Sequence, residues 1–288
     1  GHKPYPAASL DQPAAQLTVR EHHDGPPTVI ARDQWQFAKV VDGKPVPDVN
    51  YVHLSSGFQP GEVYELTYTS VGAPVIGLGY TGFRDAASFI KWGTEAQGNP
   101  LAGKVDYAYA WGQSMNGRWL REFLYFGLNQ DEAGRTAFDG MHIHIGSSRR
   151  GEFNIRFGQP STNILRAPGN LYPFAFEATP EPVLGDNRGL LDRTRANGSM
   201  PKVVHSNSGM EYWWSGASLG HTTVDGAKDF DPPADVAIYY LSGAQHVSSG
   251  LPLTNRTPDG FLGKQPINTL DYRPAMRALL TALDEWVR

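Results

Sequence analysis

The stretch from Tyr107 to Leu120 constrains this chain most, because an apolar run meets a tight turn centred on one serine and a helix pattern follows at once. Tyr107-Ala108-Tyr109-Ala110-Trp111 suits a buried strand, and Met115-Asn116-Gly117-Arg118-Trp119-Leu120 opens the helix. A serine on such a strained strand-to-helix turn has its hydroxyl exposed, the layout of a nucleophile elbow. Strand and helix approach closely there, so small residues are needed two positions before and two after the serine. Gly112 and Asn116 fill those places and Gly117 adds room. Asparagine suits its place because it is compact and tolerates unusual backbone angles. The pattern marks Ser114 as a candidate nucleophile toward a carbonyl, with an ordinary strand-turn-helix as the competing reading. Gly-x-Ser recurs at Gly146-Ser147-Ser148 and Gly216-Ala217-Ser218 in a chain with 32 glycines, but only the Ser114 copy joins an apolar run to an apolar helix pattern.

The 288 residues, 40% of them hydrophobic, suit one large domain or one domain with appendages. With 25 basic and 29 acidic residues the net charge is −4, so no strong basic field invites nucleic acid. No apolar run approaches the length of a membrane span. The chain has no cysteine, which removes disulfides, thiolate catalysis and cysteine zinc sites together. It begins Gly1-His2 without a methionine, which suggests a processed precursor, with export as the matching expectation, or an added remnant. The sequons at Asn197 and Asn255 are common by chance.

Residues 1–30, rich in Pro, Ala and His, read as an extended arm, with an edge strand at Leu17-Thr18-Val19-Arg20. The alternation over 63–69 predicts a strand, and Pro74 to Gly79 reads as a short buried strand running into a helix over 83–92. Further strands are expected at 138–146, 203–205 and 236–241, and a closing amphipathic helix at 273–287. Residues 147–200 have weak periodicity and many turn residues, which reads as a loop-rich cap or insertion. The boundaries are thus an N-terminal arm with edge strands over 1–60 and a catalytic domain over 61–288. Strands alternating with helices imply right-handed crossovers, a mostly parallel central sheet flanked by helices, and a site at the carboxyl ends of its strands.

With a serine elbow of this kind the partners follow in the order nucleophile, acid, histidine. His246 comes last, just after the strand 236–241, and is the best general base. His205 reads as a packed histidine in a strand, and His221 in a loop is the reserve. The acid is expected after the strand at 203–205, where Glu211 stands among aromatics that would keep water away. Asp225, Asp229 and Asp231, in a polar loop, are its rivals. For the oxyanion hole the Met115 backbone N–H is one donor, and Tyr80 or Thr81 is a candidate source of the second.

Gly77-Leu78-Gly79 with Arg84-Asp85, Gly112-Gln113-Ser114 with Gly117-Arg118, Phe138-Asp139-Gly140, Arg149-Arg150-Gly151, Glu211-Tyr212-Trp213 and Gly243-Ala244-Gln245-His246 resemble a poorly characterised family of bacterial α/β-hydrolase domain proteins. The resemblance runs from about residue 60 to the C-terminus. It implies an α/β-hydrolase fold and a Ser-acid-His triad, and position by position it points to Ser114, Glu211 and His246. The family's usual second serine is Asn116 here, and its members generally extend further at both ends, which implies a shortened N-terminal portion.

Other constellations have plainer readings. His142 and His144 share one face of a strand, as a two-histidine metal site with Asp139 or as a structural pair; the structural pair is preferred and no metal is assigned. Arg149-Arg150 suits a substrate carboxylate or ties down a loop. Among the aromatics, Tyr172, Tyr212 and Trp213 are candidates for a pocket wall, as are Phe174, Phe176 and Trp214. Gly77-x-Gly79-x-x-Gly82 has the glycine spacing of a dinucleotide loop but lacks a well-placed acid. The function expected is cofactor-free hydrolysis of a small-molecule carboxylic ester through an acyl-enzyme on Ser114. An acyltransferase or lactonase would use the same triad, and a non-catalytic ligand-binding protein on a hydrolase scaffold is the alternative from another class.

Overall fold

A computed structural model of the chain describes residues 5–22, 25–72, 75, 77–151, 153, 172–182, 185–256, 260 and 262–288. These fall into two compact units that divide between residues 76 and 77, later than the expected 60/61 boundary. Much of the expected cap, residues 154–171, lies outside the described residues.

The first unit is built from short antiparallel strands. Strand β1 (Gln16–Arg20) pairs with β2 (Thr28–Ile30) on one side and with the distant β7 (Val63–Thr67) on the other. Between them, β3 (Trp35–Gln36) pairs with β6 (His53–Leu54), and β4 (Ala38–Val41) with β5 (Lys44–Pro47). Leu17, Trp35, Phe37 and Leu54 form their buried core, with Trp35 and Phe37 edge to face at 5.6 Å. The strand expected at 63–69 therefore belongs to this unit.

The second unit carries the parallel sheet. Its strands are β8 (Tyr109–Gln113), β9 (Gly140–His144), β12 (Lys202–Ser208) and β13 (Val236–Leu241), in the order β13-β12-β9-β8. A small antiparallel hairpin, β10 (Thr179–Glu181) and β11 (Asp186–Arg188), lies apart from that sheet. All five residues of β9 are buried, as a central strand covered on both faces requires. Helix α2 (Met115–Tyr125) lies against β8 and β9, and α5 (Arg273–Val287) against β9 and β12. Two short helices, α3 (Asp192–Ala196) and α4 (Gly209–Trp214), complete the unit with α1. Helix α1 runs from Leu78 to Trp92 and packs Tyr80 and Phe83 on Trp119 of α2, at ring separations of 4.4 and 5.0 Å.

The buried strand expected over 74–79 is not there in the described residues. Leu78 already begins α1, and Val75 and Leu78 are 78% and 64% exposed. The cause is Gly77, whose φ of 88° turns the chain into the helix. Gly79 and Gly82 therefore lie inside α1, whereas a phosphate-cradling loop places its glycines ahead of the helix. No helix among the described residues is long and apolar enough to cross a membrane.

Candidate active site

Strand β8 ends at Gln113 and α2 begins at Met115, so the reversal falls on Ser114 alone. Its φ of 57° and ψ of −120° are costly for a residue with a side chain and persist only where the surroundings enforce them. Two glycines let them do so. A Cβ on Gly112 would stand 2.5 Å from the Asn116 carbonyl oxygen, and one on Gly117 would stand 3.0 Å from that of His144 and 3.1 Å from Gly146 Cα. The Ser114 amide donates to the His144 carbonyl at 2.9 Å, tying the turn to the end of β9.

Strand β12 continues two residues beyond β9's last partner and ends at Ser208, where α4 starts. Ser208-Gly209-Met210-Glu211 forms a capping box: the Ser208 amide donates to Glu211 Oε2 at 2.9 Å, and the Ser208 hydroxyl donates to the same oxygen. That leaves Oε1 free to meet His246 Nδ1 at 2.5 Å, while His246 Nε2 lies 2.8 Å from Ser114 Oγ. Burial opposes a charge on Glu211, but the bonds from His246 and Ser208 outweigh it and hold the carboxyl below its ordinary range. Ser208 was not singled out from sequence, although Ser-x-x-Glu before a helix is a readable signal.

The loop that carries His246 is itself anchored. Gly243, at φ 74°, turns the chain after β13, and the Gly209 amide donates to Ala244 O at 3.1 Å. The Tyr272 hydroxyl donates to the His246 carbonyl at 2.8 Å, and Gln245 Oε1 accepts from the Asn268 amide at 2.8 Å. Hydroxyl, imidazole and carboxylate in series allow a proton to pass from oxygen to imidazole while the carboxylate supports the resulting charge.

The rival residues are engaged elsewhere. His205 is buried, with Nε2 3.0 Å from the Ser147 carbonyl and 3.0 Å from the Asn207 amide nitrogen, and burial holds it well below its ordinary pKa. His221 meets the Tyr212 hydroxyl at 3.0 Å. Asp225 accepts from Thr223, Asp229 lies 3.7 Å from His221, and Asp231 is exposed. His142 and His144 are buried side by side on the Ser206 hydroxyl, each at 2.9 Å. Asp139 instead accepts from Lys91 at 2.7 Å and from the Ala108 amide at 2.8 Å. No group of three His, Cys, Asp or Glu that could hold a metal gathers among the described residues.

Some expected substrate-facing residues lie otherwise. Tyr172 has no exposed surface; its hydroxyl donates to the Thr179 carbonyl at 2.5 Å and accepts from the Arg188 amide, so it packs a loop and offers no wall to a ligand. The Tyr80 amide is committed to the Gly77 carbonyl at 3.0 Å and its ring is buried on Trp119, while its buried hydroxyl meets no partner among the described residues. Thr81 lies in the first turn of the same helix, its hydroxyl donating to Leu78 O at 3.0 Å. Trp213 is 91% exposed, while Tyr212 packs on Tyr240 at 4.6 Å. The arginine pair divides: Arg150 bonds Glu122 at 3.2 Å and the Tyr172 carbonyl at 2.8 Å, whereas Arg149 Nε is sealed from solvent with no partner among the described residues.

No curated protein and no solved structure matches the chain. A model of the alpha/beta hydrolase domain family, however, matches residues 48–288 and so takes in the parallel sheet, the serine turn and the loops that carry Glu211 and His246. By this match over most of its length, the chain belongs to the alpha/beta hydrolase domain family.

Proposed function

We propose that the protein is a serine hydrolase that cleaves a carboxylic ester through an acyl-enzyme on Ser114. The observation that carries this reading is the unbroken series from Ser114 Oγ through His246 to Glu211, at 2.8 and 2.5 Å. A non-catalytic scaffold has no need to hold that hydroxyl on an imidazole or to keep Ser114 at positive φ.

In the proposed reaction His246 carries its resting proton on Nδ1, toward Glu211, and takes the Ser114 proton on Nε2 as Oγ attacks the ester carbonyl. The tetrahedral oxyanion is stabilised by the Met115 amide, which as the first in α2 has no partner within the helix. Collapse breaks the ester C–O bond, and His246 returns the proton to the departing alkoxide. Water then attacks the acyl-enzyme, giving its proton to His246, and collapse breaks the bond from the acyl carbon to Ser114 Oγ as His246 returns that proton to Oγ and the carboxylic acid leaves.

The test is mass spectrometry of the folded protein after a fluorophosphonate, with peptide mapping. One adduct on Ser114, absent in Ser114→Ala, is expected. Labelling of Ser114→Ala at the wild-type rate, or no adduct at all, would sink the reading.

A further inference from the structure

Near the serine turn Arg118, Arg121 and Arg150 are buried and Arg149 is half-buried. Arg121 donates through Nη2 to the carbonyls of Ser148 and Phe174 at 2.8 and 2.5 Å, although its Nε and Nη1 meet no partner among the described residues, and Arg150 has Glu122. Arg118 and Arg149 have no ion pair and no side-chain hydrogen bond among the described residues. Arg118 is only 9% exposed, and the Nε of Arg149 is sealed from solvent. A guanidinium cannot be neutralised near pH 7, so the mostly buried Arg118 and the half-buried Arg149, with no counter-ion among the described residues, are open to an anion from outside the chain.

Their positions say where that something sits. Arg118 follows Ser114 by one helical turn, and its amide donates to the Ser114 carbonyl at 3.0 Å. Side chains four apart share a helix face and lean toward its N-terminus, so Arg118 reaches back toward Ser114. Arg149 leaves the end of β9, whose last residue, His144, holds the Ser114 amide. A Cβ on Gly146 would stand 3.2 Å from the Arg118 nitrogen, so this loop and the start of α2 are pressed together beside the serine. Burial first, and then the neighbouring charge of Arg149, pushes the Arg118 pKa down to about 10. Glu211, the acid acting on Arg118, is already committed to Ser208 and His246.

We infer that Arg118 and Arg149 together receive a carboxylate borne by the substrate, so that the preferred ester carries an anionic group beside the scissile carbonyl. The inference rests on the acyl-enzyme reading for its reaction. A planar carboxylate fits because a guanidinium fork donates two parallel hydrogen bonds to it.

The experiment compares kcat/KM for two ester pairs in the wild-type enzyme. p-Nitrophenyl hemisuccinate is set against p-nitrophenyl pentanoate, and 3-carboxyphenyl butyrate against 3-carbamoylphenyl butyrate. One of the anionic esters is expected to be favoured over its neutral counterpart by about tenfold or more, and Arg149→Gln should collapse that ratio, chiefly through KM. A neutral preference in both pairs overturns the inference, and so does an anionic preference that survives in folded Arg149→Gln. Should Arg149→Gln not fold, Arg149→Lys, which keeps the charge but loses the fork, is expected to lower the ratio severalfold, and an unchanged ratio there overturns the inference as well. If no ester is turned over, calorimetry of glutarate against Ser114→Ala separates the two failures. Binding that Arg149→Gln removes keeps the anion site while the acyl-enzyme reading falls, and no binding sinks both.

Discussion

His246 and His144 stand at the same end of the same unit and live under opposite rules. His246 sits on a loop past β13, part exposed, between a hydroxyl at 2.8 Å and a buried carboxylate at 2.5 Å. His144 lies in β9, sealed from solvent with His142, sharing one serine hydroxyl. Burial, and for His142 the charge of its neighbour, pushes both down to about 4. Burial keeps His142 and His144 from taking up a proton, whereas in the proposed reaction His246 is the histidine that does. Glu211 bonds His246 directly, whereas His142 and His144 share the dipole of the Ser206 hydroxyl.

The sharpest way to break this contrast is to remove what His246 serves. Ser114→Ala should lower ester kcat/KM by about 10⁴-fold or more, with an unchanged melting temperature showing that the fold is intact. Retention of more than a tenth of the activity would place the reaction elsewhere. Glu211→Gln is expected to cost on the order of 10³-fold, because an amide neither selects the tautomer nor supports the cation. A loss below tenfold would mean that His246 is held well enough by Tyr272 and its loop.

The buried layer makes the next largest effect, read as stability. The unfolded chain protonates its histidines near the ordinary value of 6.5, whereas His142 and His144 stay neutral in the fold down to about 4. As pH falls through that window the unfolded state binds more protons, so the contribution of this pair to stability falls between about 6.5 and 4 and changes no further below. Each residue contributes on the order of 2–3 kcal/mol to that loss. Urea unfolding at pH 7 and pH 4.5 checks this: wild type should lose more stability between the two than His142→Gln does. Equal losses would show that the buried pair is not responsible.

What was legible in the sequence follows the same division between local and distant causes. The serine turn was readable because its geometry demands small residues within five positions, and Gly112 and Gly117 do sit where a Cβ would collide. The strands expected at 236–241 and 203–205 announced themselves as short apolar runs, and counting forward from them led to His246 and Glu211, which the structure brings to Ser114. The segment before α1 misled because Pro74 to Gly79 is apolar enough for a strand, and a short apolar run does not declare its conformation; the φ of Gly77 decided it. The pairing of β1 with β7 joins residues more than 40 positions apart, and no local pattern encodes it. Arg118 entered the sequence reading only as part of the Gly117-Arg118 resemblance and not as a site residue, since being buried with no partner among the described residues is a property of the folded surroundings and not of the residue type.

The smallest expected effect sharpens the comparison most finely, because Tyr272 touches both histidines. Its hydroxyl donates to the His246 carbonyl at 2.8 Å while its ring lies 5.2 Å from that of His144. Tyr272→Phe keeps the ring and removes the bond. One neutral hydrogen bond is worth about 1 kcal/mol, so the melting temperature should drop by a few degrees at most. The catalytic consequence is separable from that. A loop that loses this anchor lets His246 drift from Ser114, which lowers kcat by a few-fold and leaves KM in place, since Tyr272 has no role assigned in substrate binding. A fall in melting temperature with kcat unchanged would mean that Glu211 alone fixes the imidazole. A fall in kcat that a second substitution, Glu211→Gln, does not deepen would mean that carboxylate and tyrosine hold His246 as one unit.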